Sequence, residues 1–75
     1  MTRLPALRSA DLVRALRKAG FEIVRQRGSH TRMRHPDGRV LTLPIHSSQN
    51  ISRGLLRKIL RDAELTPDEL RDLLR

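Results

Sequence analysis

The sequence contains no cysteine, no tryptophan and no tyrosine, and it has one phenylalanine among 75 residues. The absence of cysteine excludes disulfide frameworks, thiolate metal sites and cysteine nucleophiles. The scarcity of aromatic residues argues against a sheet that stacks RNA bases on aromatic rings. No strictly apolar run exceeds two residues, so we expect no membrane-spanning helix and no signal peptide. A cytoplasmic, soluble protein is therefore the default expectation.

Length and leucine content set the size of the fold. A chain of 75 residues has room for one core, so we expect a single domain over residues 1–75. Such a short chain buries roughly 60 % of the surface that its unfolded form exposes, which makes the core marginal. Thirteen leucines supply most of that core.

Acidic residues are few and unevenly placed. Residues 1–61 hold fourteen bases and three acids, a net charge of +11, whereas residues 62–75 hold two bases and five acids, a net charge of −3. Fourteen of the sixteen bases are arginine, whose planar fork binds phosphate oxygens in pairs. The charge therefore predicts an anionic partner, either nucleic acid or an acidic protein.

A first helix is predicted over about residues 10–19, where apolar residues recur at three- and four-residue spacing. Ser9 is expected to be its N-cap, and Gly20 ends the pattern. Residues 1–8 show no periodicity and are predicted to be a loose lead-in.

Three short runs rich in strand-forming residues follow, at residues 21–26, 30–35 and 39–43. Gly28-Ser29 marks the first turn and Pro36-Asp37-Gly38 marks the second. Strands this close in the chain are predicted to form a short antiparallel meander.

A polar loop is predicted over residues 45–51, followed by a second amphipathic helix that Ser52 caps. Three arginines spaced four apart lie on the polar face of this helix: Arg53, Arg57 and Arg61. They either contact an anionic partner or keep a small domain soluble.

A capping box from Thr66 to Glu69 predicts a short C-terminal helix, residues 66–75, which docks on the body or is contributed to a partner. The predicted order is helix, three strands, helix, helix. The two main amphipathic helices must cover one sheet face, because that face cannot stay in water. We therefore predict an α+β two-layer sandwich.

His30 is the candidate proton carrier. The period of two along the second strand puts His30, Arg32 and Arg34 on one face, and Met33 with the core on the other. His30 should thus point outward among arginines, where an imidazole exchanges protons near neutral pH. The competing interpretation is an ordinary surface histidine.

The other two histidines have less distinctive positions. His35 falls on the core-side row beside Pro36, which predicts a structural role, and nothing in the spacing of His46 assigns it one. No carboxylate cluster, paired-carboxylate site, Gly-rich phosphate loop or serine elbow is present, so we expect no metal and no cofactor. If the protein is a catalyst, histidine is its proton carrier.

The best candidates for phosphate contacts surround the turn that carries His30. They are Arg25, Arg27, Gly28, Ser29, Arg32 and Arg34. Arginines gathered next to the candidate proton carrier are suited to bind the phosphates of an anionic partner.

Several segments, in unbroken order from Ser9 to about Leu65, resemble the HicA toxins of HicAB toxin–antitoxin systems. They are residues 9–12 (SADL), 18–21 (KAGF), 24–30 (VRQRGSH), 35–36 (HP), 43–44 (LP) and 54–60 (GLLRKIL). The sequence departs from the family at Gly54-Leu55, where many members have Gly-Thr, and in its longer last helix. Both departures concern the antitoxin interface more than the Gly-Ser-His element.

The resemblance implies a double-stranded-RNA-binding-domain-like fold and a metal-independent mRNA interferase whose catalytic histidine corresponds to His30. It also implies a HicB-like antitoxin that covers the site, with the toxin a monomer when alone and part of a larger complex with the antitoxin. The leading hypothesis is an endoribonuclease toxin. Its rivals are a non-catalytic RNA-binding module and an interaction subunit whose basic surface meets an acidic protein.

Overall fold

The computed structural model describes residues 7–44 and 50–75. In chain order the elements are β1 (Leu7–Arg8), α1 (Ser9–Lys18), β2 (Glu22–Arg27), β3 (His30–Arg34), β4 (Val40–Pro44), β5 (Asn50–Ile51), α2 (Arg53–Ala63) and α3 (Pro67–Leu73). The strands β2, β3 and β4 form an antiparallel sheet in that order. The predicted α+β fold, its meander and its double-stranded-RNA-binding-domain-like element order are confirmed.

Two short strands replace segments that the sequence indicates as irregular. β1 pairs with β5 in an antiparallel ribbon, with Leu7 opposite Ile51 and Arg8 opposite Asn50. The predicted lead-in is wrong for residues 7–8 and the predicted loop is wrong for residues 50–51. A two-residue strand is too short to show a period, and its partner lies more than forty residues away.

The predicted N-cap of the first helix is also wrong. Arg8 occupies the cap position with extended backbone angles and makes no side-chain cap hydrogen bond, while Ser9 is the first helical residue and is buried. Because Arg8 is paired with Asn50 in the short ribbon, the extended residue that precedes the helix is fixed one position earlier than predicted.

The core lies between the helices and the inward face of the three-stranded sheet. Its large side chains from α1, the α1–β2 junction, β3, β4 and α2 are Leu12, Leu16, Phe21, Met33, Leu41, Leu43, Leu56, Ile59 and Leu60. Each such side chain contributes about 1.5–3 kcal/mol by leaving water. The predicted coverage of one sheet face by the amphipathic helices is confirmed.

The C-terminal helix docks on the body. The capping box is complete, because the Glu69 amide donates to Thr66 Oγ1 at 3.1 Å and the Thr66 amide donates to Glu69 Oε1 at 2.9 Å. Leu70 is fully buried in the common core, and α3 packs against α1. Lys18 Nζ of α1 also donates to the carbonyl oxygen of Arg75, two residues beyond the end of α3, at 2.8 Å.

Candidate functional site

His30 begins β3 directly after a two-residue turn. Gly28 has φ +58°, while Ser29 keeps a negative φ. A positive φ at the first turn position alone is typical of the tight hairpin turn that favours glycine there and matches the twist of the flanking strands. The turn makes Arg27 and His30 direct cross-strand partners at the end of the sheet.

Burial alternates along β3 as the sequence predicts. Thr31 and Met33 are buried at 1 % and 0 % exposure, while His30, Arg32 and Arg34 are exposed. Residues directly opposite each other in an antiparallel pair share a face. The face opposite the helices, here called the outer sheet face, therefore carries Glu22, Arg25 and Arg27 from β2, His30, Arg32 and Arg34 from β3, and Val40, Thr42 and Pro44 from β4.

A bulge in β2 decides which of its side chains reach this face. Ile23 pairs with Met33 on the core side, yet Arg25, two residues later, pairs with Arg32 on the outer side. Residues two apart in a regular strand share a face, so one extra residue, Val24, must intervene. The bulge thus brings Arg25 and Arg27 onto the face of His30.

The arginines of the outer sheet face have no ionic partner among residues 7–44 and 50–75. Ion pairs in that part of the chain include those of Asp11 with Arg14, Asp37 with Arg39, Asp62 with Lys58 and Asp72 with Arg75, and none of them involves an arginine of the outer sheet face. The charges of Arg25, Arg27, Arg32 and Arg34 are therefore available to an anion from outside the described chain.

The predicted site residues form rows along the sheet. The first row, next to the turn, holds Arg27 and His30 with Gly28 and Ser29 beside them. Arg25 and Arg32 form the second row and Arg34 lies in the third, with about 7 Å between rows. The imidazole of His30 makes no hydrogen bond to any described residue and lies open to solvent.

His35 lies outside this constellation and has the structural role that its position predicts. Its Nε2 is 3.2 Å from the Ala19 carbonyl oxygen, and its ring packs edge-on against Phe21 with centroids 5.1 Å apart. His35 also covers Gly20, where an added Cβ would lie 2.7 Å from Nε2. His46 falls outside the described residues.

The guanidinium of Arg39 has partners within the described residues, unlike the arginines of the outer sheet face. Its guanidinium lies over the Phe21 ring at 5.1 Å, donates to the Ala63 carbonyl at the end of α2, and pairs with Asp37 at 2.8 Å. The hydrogen bond from Arg39 lowers the pKa of the Asp37 carboxyl. Asp37 and Arg39 thus fasten the second turn to the core.

Sequence reasoning missed Glu22. Its cross-strand pairing with Arg34 makes it the one carboxylate on the described part of the outer sheet face. Only the strand register reveals this position, because a single glutamate near a strand start carries no signal of its own. Across the described ranges, no group of three or more histidine and carboxylate side chains is placed to hold a metal ion.

Among the described residues, no helix is both long and apolar enough to cross a membrane.

Comparison with known proteins adds a family to this geometry. No curated protein sequence matches the chain. The family model described as the HicA toxin of bacterial toxin–antitoxin systems matches residues 9–65, which include α1, the whole three-stranded sheet and α2. The chain therefore belongs to the HicA toxin family.

Proposed function

We propose that the protein is a metal-independent endoribonuclease, an mRNA interferase that blocks translation, with His30 as its catalytic residue. One observation carries this proposal: His30 is exposed on the same sheet face as four arginines that are unpaired within the described chain, and Arg27 lies directly opposite it. A proton carrier surrounded by free phosphate-binding groups is what RNA cleavage requires. Membership of a toxin family supports the same activity.

RNA supplies its own nucleophile, so the protein needs to move protons and to stabilise charge. His30 removes the proton of the 2′-hydroxyl or donates one to the leaving 5′-oxygen. The 2′-oxygen bonds to phosphorus as the bond to the 5′-oxygen breaks, which leaves a 2′,3′-cyclic phosphate and a 5′-hydroxyl. One positioned acid or base contributes about 10²–10⁴ in rate. The Arg27 guanidinium stabilises the phosphorane charge in addition.

The proposed partner is a HicB-like antitoxin with an acidic surface that covers the outer sheet face. The free charges of that face would attract such a surface as they attract RNA, so inhibition would be competitive. Because mRNA is the proposed substrate, we expect the toxin to act in the cytoplasm. We expect a monomer in the absence of the antitoxin.

The test is cleavage of end-labelled RNA by the purified protein and by His30→Ala. The wild type should produce 2′,3′-cyclic phosphate ends, and the variant should lose at least about a hundredfold in rate. Circular dichroism should show equal folding. Arg57→Ala, an exposed change on α2, is the control that should retain activity. Full cleavage by folded His30→Ala protein would refute the assignment.

A non-catalytic RNA-binding module is the alternative function, and one observation favours it. Catalytic bases are commonly oriented by a further hydrogen-bonded group, and His30 has no such partner within the described residues. The alternative predicts that the wild type binds RNA and leaves it intact under all conditions.

A further inference from the structure

A shallow depression of about 280 Å³ opens at the end of the sheet that is remote from His30. It is lined by Glu22 and Val24 of the β2 region, Arg34 of β3, and the adjoining His35 and Pro36. Glu22 and Arg34 stand in the third row of the outer sheet face, four residues along β3 from His30. That spacing corresponds to about 13 Å.

The two charged side chains of this depression have no partner among the described residues. Glu22 and Arg34 are direct cross-strand partners of opposite sign, yet neither forms an ion pair or side-chain hydrogen bond with any described residue. They therefore present a free acceptor and a free donor side by side. A carboxylate repels the phosphates that the neighbouring arginines attract, so the group that fits beside Glu22 is a neutral one with N–H donors.

The rest of the lining suits the flat face of a nucleobase. Val24 stands in the bulge with 54 % of its surface exposed, and Pro36 is also exposed. Bases in single strands are recognised by contact with their faces and by hydrogen bonds to their Watson–Crick edges. Guanine presents two adjacent N–H donors on that edge, which match the two oxygens of one carboxylate. It presents an acceptor oxygen next to them, which matches a guanidinium.

We propose that this depression is a specificity subsite that binds a guanine base of the RNA strand, a few nucleotides from the cleaved bond. Glu22 accepts from N1–H and N2–H of the base, and Arg34 donates to O6. The strand reaches the depression along the arginine rows that begin at His30. This inference rests on the proposed RNA-binding function of the outer sheet face and adds to it a preference for one base.

The experiment measures binding of short oligouridine strands, each with one substituted base, to the uncleaving His30→Ala protein. A single guanine should tighten binding about tenfold over adenine, cytosine or uridine, the size expected for one bidentate base contact. Adding Glu22→Gln should remove this preference without weakening binding to oligouridine. Asp72→Asn on α3 changes the charge equally and should leave the preference intact.

A preference for another base, the absence of a preference, or a guanine preference that survives Glu22→Gln would overturn the proposal. Cleavage by the wild type, scored separately, keeps the two proposals apart. RNA cleavage without base preference refutes the guanine subsite alone, whereas a Glu22-dependent guanine preference without cleavage refutes the nuclease alone.

Discussion

Arg27 and His30 face each other as direct cross-strand partners across the Gly28-Ser29 turn, and both are exposed on the outer sheet face. The Cβ atoms of such a pair are about 5 Å apart. A phosphate bound by the Arg27 guanidinium therefore lies within reach of the His30 imidazole. In the proposed mechanism, this pairing would couple phosphate binding to proton transfer in one row of the sheet.

Charge reversal should separate the outer sheet face from the exposed face of α2. Two triple variants to glutamate are compared in the His30→Ala background, one at Arg25, Arg27 and Arg32 and the other at Arg53, Arg57 and Arg61. The first should weaken RNA binding more, because it removes the arginines that surround His30. The plot of log affinity against log salt should also become shallower, with the magnitude of its slope reduced by about 2, because three phosphate contacts are lost. Filter binding across a salt titration measures both, and a larger loss in the α2 variant would place the RNA path on that helix.

Chelation should leave cleavage unchanged. The described residues hold no cluster of three metal-ligating side chains, and the proposed step needs only proton transfer and charge stabilisation. Activity should therefore persist in excess EDTA, with the same 2′,3′-cyclic phosphate ends. Activity that is lost on chelation and restored by magnesium would contradict the histidine mechanism.

Gly20→Ala should destabilise the fold by roughly 1–3 kcal/mol. Gly20 has φ +106°, and an added Cβ would lie 2.7 Å from His35 Nε2. Urea unfolding provides the measurement. The matched control is Gly54→Ala in α2, where a Cβ meets nothing within 4 Å and the helical backbone favours alanine. Equal stability of the two variants would show that His35 does not hold Gly20 in place.

The acid stability of the fold should depend on Asp37. The pKa of its carboxyl is lowered in the folded state, chiefly by the side-chain hydrogen bond from Arg39. The resulting stabilisation is fully present above the unfolded pKa of about 3.9 and is lost as the pH falls through the lower folded value. Asp37→Asn should thus lower the Tm near neutral pH, and the difference from the wild type should shrink below about pH 4. Thermal unfolding over this pH range tests this, and a constant difference would contradict it.

The order of the three helices and of the three strands β2, β3 and β4, together with the outward position of His30, could be predicted from the sequence. Apolar spacing of three and four marks α1 and α2, and glycine-containing turns separate the three strands of the sheet. Along β3 the period of two, fixed by Met33 in the core, leaves His30 exposed. These features are local. Each depends on residues a few positions apart within one helix or strand, and the geometry of that element decides which of those residues are buried.

The groups from neighbouring strands that share the face of His30 depend on the tertiary structure. The bulge at Val24 turns Arg25 and Arg27 toward it, and the register sets Glu22 beside Arg34. In the fold, Arg39 binds the Ala63 carbonyl at the end of α2 and pairs with Asp37, so its charge is not free for an outside anion. A sequence pattern records whether a residue is buried, but register, bulges and contacts between distant segments follow from how whole elements pair and pack. The charge of the candidate site is therefore visible in the sequence, whereas its arrangement exists only in the folded sheet.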